Sequence, residues 1–142
     1  MAYRILLPVD GSEGSLRAAR HVAAMARLIP GLEVHVLSVQ APGDDWMVRR
    51  LITPEELAEL EQEWSKAAMD PACDILKDAG IEPHCHLAQG EVAASIVRLA
   101  QELGCDQIVM GTRGQSTLAG LLMGSVATKV LHLSPIPVTL VK

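Results

Sequence analysis

Residues 107–126, Gln-Ile-Val-Met-Gly-Thr-Arg-Gly-Gln-Ser-Thr-Leu-Ala-Gly-Leu-Leu-Met-Gly-Ser-Val, lead from a short apolar segment through a glycine-rich stretch into a second apolar pattern. The first four residues predict a buried strand, and Gly124 with Ser125 predicts a helix start. From Gly111 onward the glycines follow the spacing G-x2-G-x9-G-S. A glycine after a strand lets a ligand approach the main chain, and a helix N-terminus attracts anions. This order predicts a phosphate site, and an ordinary strand-to-helix loop with turn glycines is the alternative.

Short β-branched runs alternate with helical patterns along the rest of the chain. Strands are predicted at residues 4–9, 33–39, 81–87, 106–110 and 136–141. Helices are predicted from Ser12 or Ser15 to Pro30, and over residues 53–78, 91–103 and 125–133. Strands separated by helices pair in parallel through right-handed crossovers. The sequence therefore predicts an α/β fold, an open parallel sheet with helices on both faces.

The region between the second and third strands carries two further predictions. Residues 40–52 are expected to be irregular, and Thr53 with Pro54 marks a helix start. Pro71 falls inside that helix and is expected to kink or interrupt it, because proline has no N–H to donate. Gly80 is expected just beyond its C-terminal end.

Bulk composition excludes several classes of protein. The chain has 142 residues, 49% of them hydrophobic and 20% charged, as in an ordinary globular domain. A net charge of −5, with two Trp, one Tyr and no Phe, argues against nucleic-acid binding. No apolar run approaches the roughly 18 residues of a membrane span, and the N-terminus does not resemble a signal peptide. We expect a cytoplasmic protein without membrane insertion.

Cysteine and histidine suggest no metal site. Cys73, Cys85 and Cys105 are widely spaced and are expected to be buried thiols. In the run His84-Cys85-His86 the two histidines would share one strand face and the cysteine the other. Two histidines make an incomplete zinc site, so a surface pair is favoured over a metal bridged between chains.

The first and fourth strands both end at glycine, in Pro8-Val9-Asp10-Gly11 and Met110-Gly111. Ligands of such sheets bind at the carboxyl ends of the strands. Asp10 is therefore a candidate ligand residue, with a turn-capping aspartate as the alternative. Arg113 could neutralise a phosphate or be a solvated surface charge.

The chain lacks the P-loop motif and the G-x-S-x-G nucleophile motif. Without an evident base to activate water, fast hydrolysis is not supported. A Mg²⁺ ion would be held mainly by phosphates and waters.

These segments together resemble the universal stress protein family. The resemblance covers residues 5–12, the helix start at Gly90, the glycine motif, and residues 126–130 and 137–142. It implies a single domain over residues 1–142 and the strand order 3-2-1-4-5. It also implies a homodimer through antiparallel pairing of the fifth strands, from Ile136 to Val141. In the family, the glycine motif separates members that bind ATP from those that do not.

The resemblance implies a nucleotide site, residue by residue. Pro8, Val9 and Val39 would line the adenine pocket, Asp10 and Gly111 would hold the ribose, and Met110 would pack near the adenosine. The phosphates would be bound by Gly114, Gly124, Ser125 and Val126. The implied function is that of an ATP-binding regulatory or stress-response protein with little or no turnover, its ligand being ATP or another adenine nucleotide with Mg²⁺. A slow ATP hydrolase and a dimeric interaction module with an empty loop are the alternatives.

Overall fold

In the computed structural model, which describes residues 2–41, 50–113 and 124–142, strands and helices alternate along the chain. The strands are β1 (Arg4–Pro8), β2 (Glu33–Gln40), β3 (His84–Gln89), β4 (Gln107–Gly111) and β5 (Val138–Val141). The helices are α1 (Glu13–Ala26), α2 (Pro54–Asp78), α3 (Val92–Glu102) and α4 (Ser125–Leu133). The strands form one parallel sheet in the order β3-β2-β1-β4-β5, which confirms the predicted topology.

The central strand β1 has β2 on one side and β4 on the other. Leu6 faces His35 of β2 and Ile108 of β4 in register. The strand order reverses between β1 and β4, because the chain moves outward in one direction to β3 and then returns to the far side of β1. Such a reversal leaves a crevice at the carboxyl ends of the two strands.

Side chains alternate between the two faces of the sheet and build two apolar layers. On one face, Ile5 and Leu7 pack in a cluster with residues of α1 and α2 such as Val22 and Leu76. On the other face, Leu6 packs in a cluster with five residues of α3 and α4, namely Ile96, Val97, Ala100, Ala127 and Val130. The prediction of helices on both faces is confirmed.

The third strand begins later than predicted, at His84 rather than at Ile81. The N–H of Ile81 donates to the carbonyl of Leu76 at 2.9 Å, and the N–H of Gly80 donates to that of Lys77, also at 2.9 Å. These two bonds close the C-terminal end of α2 in a Schellman motif. Ile81 is buried because it covers this helix end. Its apolar character alone does not distinguish a helix-capping position from the start of a strand.

Pro71 does not interrupt α2, which continues from Pro54 to Asp78 with Pro71 inside it. The missing N–H would have bonded the carbonyl of Ala67. Both Pro71 and Ala67 are exposed, so water can solvate that carbonyl and the cost of the proline is reduced. Of the helices within the described ranges, none has the length and apolar character needed to cross a membrane.

Several boundaries in the remaining chain also differ from expectation, among them the end of α1 at Ala26 and the boundaries of β5 and β2. β5 starts at Val138 instead of Ile136, because Ser134 and Ile136 form a turn in which the Ile136 N–H donates to Ser134 Oγ. β2 includes Gln40, which was predicted to be irregular. Residues 42–49 of that predicted irregular stretch lie outside the described residues.

Candidate functional site

A cleft of about 300 Å³ opens at the carboxyl ends of β1 and β4, on the sheet face covered by α3 and α4. This volume is at the lower end of the range of small-molecule sites. Ten of the predicted site residues line it: Pro8, Val9, Asp10, Val39, Met110, Gly111, Arg113, Gly124, Ser125 and Val126. The eleventh, Gly114, lies outside the residues that the structure describes. Four separate chain segments therefore meet around one space.

One side of the cleft is apolar. Val9 and Met110 are nearly fully buried, Val39 is half-buried, and all three border the open space. Leu37 of β2 and Ile96 of α3 complete this wall. Such a surface suits a flat ring that packs one face against the apolar wall and keeps its other face in water.

Asp10 is held in a compact turn before α1. Its Oδ1 accepts the N–H of Ser12 at 2.9 Å and the hydroxyl of Ser15 at 2.7 Å. Its own N–H donates to Ser15 Oγ at 3.0 Å. Asp10 is thus a turn aspartate, as the alternative expected, but the N-cap of α1 is Ser12 rather than Asp10. Asp10 also lines the cleft. Its role toward a ligand stays a prediction.

The backbone of α1 approaches the end of β4 so closely that the two facing residues, Gly14 and Gly111, both need to be glycine. A Cβ on Gly111 would lie 2.8 Å from the carbonyl carbon and oxygen of Gly14. A Cβ on Gly14 would overlap the carbonyl oxygen of Arg113. This contact holds the start of the glycine motif against the first helix, beside the cleft that Asp10 and Arg113 line.

Helix α4 differs from the other helices at its N-terminus. The N-caps of α1, α2 and α3 are Ser12, Thr53 and Glu91, and each accepts a backbone N–H with its side chain. The N-cap of α4 is Gly124, which has no side chain to do so. Since α4 begins in the cleft lining, its first-turn N–H groups and the positive end of its dipole are placed beside the open space.

An ion pair connects α4 to α3 near the cleft. Lys129 Nζ lies 3.1 Å from Oε1 of Glu91, the residue that caps α3. The hydrogen bond from the Ala94 N–H and, to a smaller extent, the one from Lys129 hold the pKa of the Glu91 carboxyl below its usual range. Lys129 does not line the cleft.

Six further residues line the cleft and were not predicted from the sequence. These are Ser15, Leu37, Val92, Ile96, Thr112 and Ala127. Leu37, Ile96 and Ala127 look like ordinary core positions of their elements, and only the packing shows that their edges reach the cleft. Thr112 offered a signal, since it follows Gly111 directly.

A second polar cluster lies across β2 and β3. His35 Nδ1 and His86 Nε2 are 2.9 Å apart, and His35 Nε2 lies 3.0 Å from Glu33 Oε2. The His84 ring stacks on His35 with centroids 4.8 Å apart, and Arg4 Nε lies 2.6 Å from Glu33 Oε2. With neutral rings, His86 donates to His35 and His35 donates to Glu33. We call these five residues the histidine cluster.

Burial and then the two neighbouring imidazoles, His35 and His84, lower the pKa of His86. The hydrogen bond from His35 is the main cause that lowers the pKa of Glu33. The expected surface pair His84 and His86 therefore includes one half-buried, bonded ring. Over residues 2–41, 50–113 and 124–142, no group of three or more His, Cys, Asp or Glu side chains is arranged to hold a metal ion.

The sequence profile of the universal stress protein family matches residues 1–142. The chain belongs to this family. Several solved structures share its fold. Protein MJ0577 from Methanocaldococcus jannaschii superposes with a TM-score of 0.84 at 32% identity, over 99% of this chain and 95% of that one.

Two further similar structures contain nucleotides. A universal stress protein in complex with cAMP has a TM-score of 0.73 at 26% identity, over 99% of this chain and 97% of that one. The universal stress protein from Archaeoglobus fulgidus in complex with dAMP has a TM-score of 0.69 at 26% identity, over 100% of this chain and 98% of that one. Both ligands are adenine nucleotides.

Proposed function

We propose that the cleft binds an adenine nucleotide, ATP in particular, and that the protein retains it with little or no turnover. The observation that carries this proposal is the convergence of ten predicted residues, from four chain segments, on one cleft at the reversal of strand order. The cAMP and dAMP complexes of similar proteins support the choice of adenine.

The adenosine would occupy the apolar side of the cleft. Pro8, Val9 and Val39 would contact the base, with main-chain groups of Val39 reading its edge, and Met110 would pack beside it. The ribose would lie between Asp10 and Gly111, where the approach of α1 to β4 leaves no room for a side chain at position 111. A hydroxyl-bearing sugar suits the carboxylate, which can accept its hydrogen bonds.

The phosphates would lie at the N-terminus of α4. Gly124, Ser125 and Val126 line the cleft there, and the free N–H groups of a helix start bind anions well. Ser125 would add a hydroxyl, and Arg113, which is exposed at the rim, a positive charge. Gly114 is included on the strength of the motif. Mg²⁺ would be held by phosphates and waters, since the described lining offers it a single carboxylate, Asp10.

Slow or absent turnover follows from the chemistry of the lining. Among its described residues there is no histidine, lysine, glutamate or cysteine, and the only acid is Asp10. Oδ1 of Asp10 already accepts hydrogen bonds from Ser12 and Ser15. Activation of water for phosphoryl transfer needs a positioned base, which this lining does not supply.

Calorimetric titration of nucleotide-free protein with ATP and Mg²⁺ tests the proposal, with GTP as the matched control. We expect one site per chain, binding of ATP and much weaker binding of GTP. No heat with ATP at millimolar concentration would overturn it. Phosphate release from the same mixture should stay far below 1 s⁻¹, the low end of ordinary enzyme rates at roughly 1–1,000 s⁻¹, and a rate at that level would instead support an ATP hydrolase.

We also propose a homodimer in which β5 pairs with the β5 of a second copy. β5 is an edge strand of the sheet and all four of its residues are half-buried. An apolar edge strand is prone to aggregation unless something covers it. Light scattering coupled to gel filtration should give twice the mass of one chain, and a mass of one chain across micromolar concentrations would contradict the dimer.

A further inference from the structure

Two cysteines of different elements meet at the side of the sheet opposite the cleft. Cys73 is buried in α2, and Cys85 is exposed on the edge strand β3. Their Sγ atoms are 3.5 Å apart, which is sulfur–sulfur contact distance. This corrects the expectation that all three cysteines are buried, and neither residue of this pair lines the cleft.

The alternation of side chains along β3 explains the contact. His84 and His86 point to one face and meet His35, so Cys85 between them points to the other face, toward α2. A disulfide bond is about 2.05 Å long, so closure requires the two sulfurs to approach by about 1.5 Å. Side-chain rotation at an edge strand can supply a movement of this size.

We propose that Cys73 and Cys85 form a redox pair, which a small-molecule disulfide of the glutathione class converts to an intrachain disulfide between α2 and β3. The exposed Cys85 is accessible to the oxidant, and the buried Cys73 then attacks the mixed disulfide at Cys85 to form the intrachain bond. Cys105 takes no part, because it is buried apart from the pair.

The reaction balances in two exchange steps. First, the Cys85 thiolate attacks one sulfur of oxidised glutathione, a Cys85–glutathione bond forms, and one glutathione thiolate leaves and takes a proton from water. Second, Cys73 loses its proton to solvent base and attacks the Cys85 sulfur, the mixed disulfide breaks, and the second glutathione leaves. Two protein thiols are oxidised to one disulfide, and one glutathione disulfide is reduced to two thiols.

The two steps should differ in rate. Burial, and then the hydrogen bond and charge of Cys85, raise the pKa of Cys73 to about 12. In the mixed disulfide Cys85 carries neither a thiol proton nor a charge, but burial, the largest cause, persists and keeps Cys73 mainly a thiol at neutral pH, so the second step is the slow one. Since the Cys73 thiolate fraction rises about tenfold per pH unit below its pKa, resolution should accelerate steeply between pH 7 and pH 9. The mixed disulfide at Cys85 should accumulate first.

The test is incubation of the reduced protein with oxidised glutathione, followed by thiol titration in denaturant and intact-mass measurement. In the wild type we expect a transient glutathione adduct and then a fall from three thiols to one, with Cys73 and Cys85 in one cross-linked peptide after digestion. Cys73→Ala should stop at the adduct. Cys85→Ser should form neither adduct nor disulfide, and the matched control Cys105→Ser should behave like the wild type.

Three results would overturn the proposal. They are a wild-type adduct that never resolves even at pH 9, an adduct in Cys85→Ser, or a disulfide that contains Cys105. Peptide mapping of the oxidised wild type shows whether the disulfide joins Cys73 to Cys85, even if a variant fails to fold. ATP titration of the oxidised protein separates this proposal from the nucleotide site, because we expect its affinity to be unchanged.

Discussion

The cleft and the histidine cluster are two regions of the same sheet, and their side chains are arranged in opposite ways. At the carboxyl ends of β1 and β4, residues from several separate segments surround an open space of about 300 Å³. On β2 and β3, the charged and imidazole groups of the histidine cluster contact one another directly at 2.6 to 3.0 Å. The first arrangement leaves room for a ligand, and the second fills its room with its own side chains.

This difference shows that residue type alone does not identify a site. Histidines and a glutamate are common in functional sites, yet here they contact one another and Arg4. Glycine, valine and methionine look like structural residues, yet they line the cleft. What distinguishes the regions is whether the backbone leaves space open, as it does where the ends of β1 and β4 and the start of α4 border the cleft.

The largest effect should come from Gly14→Ala, which places a methyl group against the Arg113 carbonyl and forces α1 away from β4. We expect ATP affinity to fall more than about tenfold and the free energy of unfolding to fall by about 1–3 kcal/mol. Calorimetry and urea denaturation measure the two quantities.

Gly31→Ala is the matched control for Gly14→Ala. Its φ of +73° makes alanine strained, but a Cβ there meets nothing within 4 Å. It should cost about 1–2 kcal/mol of stability and leave ATP affinity unchanged. Equal losses of affinity in the two variants would mean that binding follows stability rather than the shape of the cleft.

Asp10→Asn separates the two roles of Asp10. The amide oxygen can still accept from Ser12 and Ser15, so the turn should persist and stability should change by less than about 0.5 kcal/mol. Loss of the carboxylate should weaken ATP binding by roughly fivefold to tenfold if it holds the ribose, in the range of a hydrogen bond to a charged group. An affinity equal to that of the wild type would mean that Asp10 only stabilises the turn before α1.

The histidine cluster should make stability depend on pH. The folded-state pKa of His86 is depressed, so the unfolded chain binds more protons and stability is full above the unfolded value near 6.5. It should decline as pH falls from about 6.5 through the folded-state pKa, by less than about 1 kcal/mol because the ring is partly solvated. A second decline below about pH 4.5 follows from the lowered pKa of Glu33.

Urea denaturation of the wild type and His86→Leu at pH 7.5 and pH 5.5 measures the first decline. We expect the variant to lose most of that dependence while ATP affinity at pH 7.5 stays the same. A decline of equal size in His86→Leu would assign the pH dependence to other groups.

The smallest effect should come from Lys129→Met, which removes the ion pair between α4 and α3. Both partners are about half exposed, at 57% and 49%, and such pairs contribute little. ATP affinity should change by less than about twofold. A larger loss would mean that Lys129 reaches the phosphates.

The layout of the fold could be predicted because alternating strand and helix patterns admit few parallel topologies. The start of β3 could not, because Ile81 is as apolar in a helix-capping turn as in a strand. Glycine spacing pointed to Gly111, Gly124 and Ser125, with Arg113 between them, and the strand ends pointed to Asp10. The other predicted cleft residues came from the resemblance to the family. Ser15 and Thr112 were not predicted, because their positions depend on how α1 and β4 pack. The pairings of His35 with His86 and of Cys73 with Cys85 depend on strand register and helix placement, which no local pattern in the sequence encodes.

Amide chemical shifts measured during an ATP titration show whether the nucleotide phosphates bind at the N-terminus of α4. The amides of Gly124, Ser125 and Val126 should shift strongly and saturate with one site per chain, while those of His35 and His86 stay in place. Binding that leaves the three α4 amides unmoved, or that shifts the histidine cluster instead, would rule out phosphate binding at the start of α4.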